Sequence, residues 1–300
     1  YWVLTKVRPQ VMLRGLVATR ISTRRMHVKA IKMRWLTGGV NYSYLLSTND
    51  KKKSWLIDPA ETLEVMEDLT TDEIKTIEAI VNTHHHYDHA GGNVTTLAAL
   101  KEKGCNVSHV IAGSQRSPIA NEIPDNLHET SLGKLKILCI RTPCHTQDSI
   151  CYYVQDTETG EQAIFTGDTL FTGGCGRFFE GTAEEMDKAL NVNLLEYTGG
   201  RTNWDKIKVY PGHEYTAGNV HFIRNNVYLN KSDNKSFNEL ESFANANEVT
   251  TGHFTLADEL SYNPFMRLDD KIVRKRVGDS QLSWTRAQVM DKLRELKNRA

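Results

Sequence analysis

Thr83-His84-His85-His86-Tyr87-Asp88-His89 places four imidazoles and one carboxylate within six consecutive positions, 84–89. A surface loop seldom reaches that density without a ligand. The short apolar run 77–82 delivers the chain into this segment. Beyond Ala90-Gly91-Gly92, Val94, Leu97 and Leu100 recur at helical spacing up to Gly104, which predicts a helix over 93–103 closed by a glycine. The motif therefore lies between a strand and a helix. Side chains at i and i+2 of an extended segment share a side, so His84 and His86 can grip one ion while His85 faces away into a supporting role. Asp88 and His89 follow once the chain turns, displaced toward a second position.

An ion held by two histidines is under-coordinated, so further ligands must arrive from elsewhere. Three residues share the right context: His145 after Thr142-Pro143-Cys144, Asp168 after Phe165-Thr166-Gly167, and His213 after Tyr210-Pro211-Gly212. Each stands where a β-prone run gives way to a turn built on Gly or Pro, the place from which a rigid sheet displays functional side chains. Taken singly, each reads as an ordinary satisfied polar residue; the common context groups them. The expected ligand sets are His84, His86 and His145 for one metal, and Asp88, His89 and His213 for a second. Asp168 bridges them, because a carboxylate has an oxygen for each cation. Two such ions roughly 3.5–4 Å apart would share a water and lower its pKa toward neutrality, making a hydroxide nucleophile without a serine or cysteine. Nitrogen and oxygen donors suit zinc, iron or manganese alike. His27, His109, His128, His221 and His253 receive no role.

The 300 residues suffice for one large domain with an appendage or for two ordinary domains. Lys+Arg and Asp+Glu balance at 37 each, which argues against a general nucleic-acid binder. Five cysteines, Cys105, Cys139, Cys144, Cys151 and Cys175, contain no Cys-x-x-Cys, so neither a disulfide framework nor a thiolate zinc site is expected. Positions 1–49 lack Asp and Glu yet carry Lys6, Arg8, Arg14, Arg20, Arg24 and Arg25, the composition of an organelle transit peptide. Residues 1–25 are assigned to that leader, and Met26 could start a second form without it. Lys and Arg interrupt every apolar run before the ~18 residues of a membrane helix, so no membrane partner is expected.

From Met26 onward, strands are expected at 27–33, 42–47, 54–57, 77–82, 107–112, 135–141, 150–154, 163–165 and 206–210. Helices are expected at 93–103, 183–193, 217–228, 237–246 and 285–296, with a glycine-rich loop at 173–181. The character becomes helical after His213, which sets a boundary between 26–213 and 214–300.

The segment 83–89 resembles the T-H-x-H-x-D-H signature of the metallo-β-lactamase superfamily. Four further stretches narrow the resemblance to the hydroxyacylglutathione hydrolase, or glyoxalase II, family: Thr142-Pro143-Cys144-His145-Thr146, Phe165-Thr166-Gly167-Asp168-Thr169-Leu170-Phe171, Gly174-Cys175-Gly176-Arg177-Phe178-Phe179-Glu180-Gly181 and Tyr210-Pro211-Gly212-His213-Glu214-Tyr215. Tyr262-Asn263-Pro264-Phe265-Met266-Arg267 adds a match in the helical part. The resemblance implies an α/β fold, an αββα sandwich followed by an α-helical C-terminal domain that binds glutathione. It implies hydrolysis of the thioester S-D-lactoylglutathione to D-lactate and glutathione by a metal-bridging hydroxide, in the mitochondrial matrix, with a cytosolic form if Met26 is used. Its seven metal ligands fall on His84, His86, Asp88, His89, His145, Asp168 and His213, with Asp88 and Asp168 also catalytic. Its glutathione-binding positions fall on Arg177, Phe179, Tyr215, Arg294 and Lys297. Phe179 stands where many members carry tyrosine, so a hydroxyl contact to the tripeptide is lost. A monomer with two divalent metal ions, acting on a small glutathione thioester, is expected. The alternatives are another enzyme of the same fold, such as a one-iron persulfide dioxygenase, or a non-catalytic metal-binding protein.

Apart from the resemblance, glutathione carries two carboxylates and calls for cations. Arg294 and Lys297 lie about one turn apart on the last expected helix and so share a face. On spacing alone a solvated basic face is the favoured reading, and the resemblance reverses it.

Overall fold

The computed structural model describes residues 25–34 and 38–300. The expected leader, residues 1–25, thus falls almost wholly outside the described residues. The first sheet opens with β1 (His27–Met33) and β2 (Asn41–Ser47), paired antiparallel, and β3 (Ser54–Ile57) pairs antiparallel with β2. Helices α1 (Thr62–Asp68) and α2 (Thr71–Lys75) then lead to β4 (Ile77–Val81), parallel to β3. The one-turn α3 (Tyr87–Ala90), α4 (Asn93–Glu102) and β5 (His109–Ile111) complete a sheet ordered β1-β2-β3-β4-β5. The second sheet takes β6 (His128–Leu132), β7 (Leu135–Arg141), β8 (Ile150–Asp156) and β9 (Gln162–Gly167) in antiparallel succession. A small hairpin of β10 (Leu170–Phe171) and β11 (Gly174–Cys175) follows, then α5 (Ala183–Lys188), α6 (Leu194–Tyr197) and β12 (Ile207–Pro211). β12 lies parallel to β9 and makes the order β12-β9-β8-β7-β6. The remainder is helical: α7 (Thr216–Asn226), α8 (Lys235–Ala246), α9 (Leu256–Tyr262), α10 (Lys271–Val277) and α11 (Arg286–Arg299).

The layering follows from alternation along the strands. Tyr42, Tyr44 and Leu46 on β2, with Trp55 and Ile57 on β3, pack against Ile137 and Cys139 on β7 and Tyr152 and Val154 on β8. Their in-between neighbours Leu45 and Leu56 face α1, α2 and α4 through Val65, Ile74 and Leu100. On the second sheet, Cys151, Tyr153 and Ile164 point outward to Met186, Ile223, Phe237 and Leu293. Period-two side chains buried on both faces of two sheets give helix, sheet, sheet, helix. The C-terminal helices share one apolar cluster with the second sheet, so they are its outer layer rather than a detached module. Burial of each large apolar side chain stabilises the fold by about 1.5–3 kcal/mol, which helps offset the cost of a buried polar centre.

The observed fold is the expected α/β architecture, an αββα sandwich followed by a helical C-terminal part. Local expectations diverge from it in places. Val94 is 51% exposed, so the stripe Val94, Leu97, Leu100 is not the buried face of α4; Asn93, Thr96 and Leu100 are buried instead. The expected helix over 183–193 ends at Lys188 and passes through a wider π-type turn, Ala189–Asn193, into α6. The strands β6, β10 and β11 and the helices α1, α2, α9 and α10 are additional to those read from periodicity. Among the described residues no helix is long and apolar enough to cross a membrane.

Strand direction explains where the polar residues meet. β3 and β4 are parallel, and so are β9 and β12, while β7 and β9 each run antiparallel to β8 between them. Within each sheet these strands therefore end at one edge. The two edges are joined where Asn41, at the start of β2, bridges His213, and where Tyr42 N–H donates to Gly212 O at 2.9 Å.

Candidate metal centre

Every expected ligand comes from a turn at that shared edge: residues 84–89 after β4, His145 after β7, Asp168 after β9 and His213 after β12. Close backbone approach there requires glycine. A Cβ on Gly212 would stand 2.5 Å from Asp168 Oδ1, and Gly167 has φ +48 with Thr83 Oγ1 2.4 Å from where its Cβ would be.

The structure brings all seven side chains together in groups whose donor atoms lie within 4.8 Å of one another: His84, His86, His145; His84, His89, Asp168; and Asp88, His89, His213. His86 Nδ1 is 3.1 Å from both His84 Nε2 and His145 Nε2. His89 Nε2 is 3.1 Å from His213 Nε2, and Asp88 Oδ2 lies 3.5 Å from His213 Nε2. Asp168 stands between the groups, with Oδ2 3.4 Å from His145 Nε2 and 3.2 Å from His213 Nε2, and Oδ1 3.3 Å from His89 Nε2. Around a tetrahedral ion with bonds of about 2.0–2.1 Å, neighbouring nitrogens are about 3.3 Å apart, so these separations fit shared cations.

Proton placement makes the same point. His84 Nδ1 is 3.1 Å from Thr83 Oγ1, whose own proton goes to Asp58 Oδ2 at 2.7 Å, so His84 Nδ1–H donates. His89 Nδ1 donates to Asp58 Oδ2 at 2.9 Å, and His145 Nδ1 to the Arg177 carbonyl at 2.9 Å. Each outer nitrogen is thus the protonated one, and each Nε2 lone pair points inward. His213 differs, since its Nδ1 is buried with no hydrogen-bond partner among the described residues. Asp168 Oδ1 is likewise buried and accepts no well-aligned hydrogen bond. Lone pairs outnumber protons at the focus, which is what a cation site needs.

Electrostatics agree. Burial lowers His84 well below the ordinary imidazole pKa and also lowers His86 and His145. Burial opposes charge on His89 too, but the carboxylates of Asp168 and Asp58 outweigh it and hold that imidazole well above its usual range. Burial would raise Asp168, yet His213 and His89 hold its carboxyl far below the usual carboxylate range. The negative charge on Asp168 is therefore retained inside a dry site, a setting that suits a bound cation.

The centre forms the floor of a cavity of about 810 Å³ lined also by Arg177, Phe179, Tyr215, Arg294 and Lys297. Phe179, 60% exposed, sets its ring edge-on to His86 and His145, with centroids 5.7 and 5.2 Å away. Tyr215 stacks on His213 at 4.6 Å. Arg294 donates to the Cys175 carbonyl and Asn298 Oδ1, and Lys297 donates to Asn219 Oδ1. Among the described residues neither these two cations nor Arg177 is ion-paired. Burial, and then Arg294, depress Lys297 to about 7.

Sequence reasoning missed four residues at this site. Asp58, with φ 49, accepts from Thr83 and His89; Asn41 Nδ2 donates to Asp88 Oδ2 at 3.3 Å; Asn219 lines the cavity; and Asp148 holds His85. Asp58 carried a signal, since Ile57-Asp58-Pro59 repeats the strand-to-turn context of the expected ligands His145, Asp168 and His213.

The metallo-β-lactamase superfamily model matches residues 36–205, and the model for the hydroxyacylglutathione hydrolase C-terminus matches 214–300. The mitochondrial hydroxyacylglutathione hydrolase of Saccharomyces cerevisiae is 62% identical over 276 residues, covering 92% of this chain and 96% of the relative. The cytoplasmic isozyme of the same yeast is 62% identical over 275 residues, covering 91% of this chain and 100% of the relative. The crystal structure of a metallo-β-lactamase from Staphylococcus aureus shares the fold at 19% identity, with a TM-score of 0.57 over 90% of this chain and 67% of that one. Fold and clustered donors together support binding of divalent metal. On this sequence identity across almost the whole length, the chain belongs to the hydroxyacylglutathione hydrolase family of the metallo-β-lactamase superfamily.

Proposed function

We propose that the protein hydrolyses S-D-lactoylglutathione to D-lactate and glutathione, with two divalent cations held by His84, His86 and His145 on one side and Asp88, His89 and His213 on the other, bridged by Asp168. The observation that carries this reading is the union, in one cavity, of an acid-and-imidazole floor with a wall of cations that have no ion pair among the described residues. When bound, such a pair of ions lowers the pKa of a shared water and polarises a carbonyl; zinc, iron and manganese all suit the donors.

The chain's own residues do the rest. Arg177, Arg294 and Lys297 bind the glutathione carboxylates and so direct the thioester toward the floor. Tyr215 and Phe179 form apolar sides that exclude water from the reacting end. The thiolate leaves with little assistance because a thiol pKa is about 8.5. Asp88, its side chain 25% exposed, is the carboxylate placed to relay a proton to the cavity. The segment 26–213 supplies the chemistry together with Arg177 and Phe179 of the wall, and 214–300 supplies Tyr215, Arg294 and Lys297. Residues 1–25 direct the chain to the mitochondrial matrix, and a reporter fused to them should localise there rather than diffuse through the cytosol.

The test combines turnover of S-D-lactoylglutathione with metal content per chain. Thioester cleavage with close to two divalent ions bound is expected. Full metal loading without turnover would reject the enzyme reading.

A further inference from the structure

We propose that Asp148 is a positioning residue for the His84–His86–His145 end of the centre, tying together the two loops that carry those ligands; this rests on the two-cation reading above. His85 lies between two ligands and turns its side chain the other way, so whatever holds His85 fixes the direction in which His84 and His86 point. His85 Nδ1–H donates to Asp148 Oδ1 at 2.8 Å. The hydroxyl of Thr146, the residue after His145, donates to the same oxygen at 2.7 Å, and Ser114 Oγ donates to Asp148 Oδ2 at 2.6 Å. Three loops thus end on one carboxylate that is 4% exposed. The backbone is fixed as well: a Cβ on Gly113 would fall 1.7 Å from the Asp148 carbonyl oxygen.

Burial would raise the Asp148 pKa, but the bonds from Ser114, His85 and Thr146 hold it below the usual carboxylate value, so it accepts from all three donors. Glu180 adds a second tether, accepting from Gln147 N–H at 2.7 Å and Arg116 at 2.6 Å, with His85 Nε2 at 3.8 Å. None of these bonds reaches Asp88, His89 or His213. That end is held by Asn41 on Asp88 and Asp58 on His89. The consequence is selectivity: loosening Asp148 weakens one end of the centre and spares the other.

Zinc(II) affinity of the full chain, measured by competition with a chromophoric chelator, tests this. His213→Ala removes a ligand of the far end, and His145→Ala one of the near end. Adding Asp148→Asn should weaken zinc binding about 10- to 100-fold in the His213→Ala background, the size usual for supports of metal ligands, and by less than about twofold in the His145→Ala background. Equal loss in both backgrounds, as general destabilisation would produce, or loss in neither, overturns the assignment of Asp148 alone. Fewer than two zinc equivalents on the unsubstituted chain overturns the two-cation reading and the inference with it. Should Asp148→Asn fail to fold, Ser114→Ala removes one donor without disturbing the carboxylate. Loss confined to the His213→Ala background then supports the proposal, and equal loss rejects it.

Discussion

The two ends of the cavity solve opposite problems. At the floor, His84, His89 and His145 each have the outer nitrogen anchored by an acceptor, and the buried Asp168 carboxylate keeps its negative charge among them. On the helical wall, Arg294 and Lys297 donate to neutral oxygens, those of Cys175, Asn298 and Asn219, and lie over the Phe265 and Phe222 rings. One end is a negative cage built on strand termini, and the other a positive shelf built on a helix. A rigid sheet edge can fix seven donors to within a bond length, whereas the wall needs only charge of the right sign within reach. Disturbing the floor should therefore abolish chemistry, and disturbing the wall should weaken binding.

The largest expected effect is at the floor. Asp168→Ala removes the carboxylate that faces His89, His145 and His213 together. Metal content should fall and kcat should drop at least about a thousandfold, the several kcal/mol that metal-assisted charge stabilisation supplies. Assay and metal analysis on one preparation check this. Retention of both quantities would show that Asp168 is not the bridge.

The wall should answer with KM. Lys297→Met should raise KM about 10- to 100-fold, corresponding to the roughly 1.5–3 kcal/mol of a hydrogen bond to a charged group, with kcat and metal content nearly unchanged. A pH signature sharpens the contrast. Because Lys297 titrates near 7 in the free protein, a bound carboxylate must raise its pKa. Affinity is then complete below that value and falls as pH rises through it, by up to about tenfold per pH unit. Calorimetry with glutathione from about pH 6 to about pH 8 should show that decline, and Lys297→Met should flatten it. An unchanged slope in the variant would move the titrating group elsewhere.

The same contrast governs what the sequence discloses. The floor is legible because four of its seven donors sit in 84–89 and the other three repeat one context, a β-prone run broken by Gly or Pro. Asp58 escaped because a single aspartate after a four-residue strand has no periodic partner, although its position obeys the same rule. The order of β-prone and helical runs discloses a mixed α/β part followed by a helical one, whereas the αββα layering rests on the family resemblance. β6 is not legible, because His128, Glu129 and Ser131 are exposed on an edge strand, so its composition looks like a loop. The stripe on α4 misled because small polar residues, Asn93 and Thr96, fill its packed face through hydrogen bonds to Asn82 and Thr62. On the wall, an unpaired buried cation cannot be told from a solvated one by spacing, since the distinction lies in what packs over it.

The smallest effect separates the wall's support from its charge. Glu241 on α8 grips Arg224 on α7 through two bonds, Nε to Oε1 at 2.8 Å and Nη2 to Oε2 at 2.7 Å, and the guanidinium lies 4.7 Å over the Phe237 ring. α7 also carries Asn219, the partner of Lys297. The bonds from Arg224 bring the Glu241 carboxyl down from its ordinary 4.5 to about 2. A depressed folded-state pKa adds stability that is complete above the unfolded value and is lost as pH falls from there through about 2. Glu241→Gln should therefore lower unfolding stability by about 1–2 kcal/mol near neutrality, with the deficit shrinking as pH falls below the unfolded value. Denaturant melts over that range check it. Metal content should not change, because no bond from Glu241 reaches a donor. Metal lost in step with stability would mean that floor and wall unfold as one unit, and the division between cage and shelf would then be one of chemistry without being one of cooperativity.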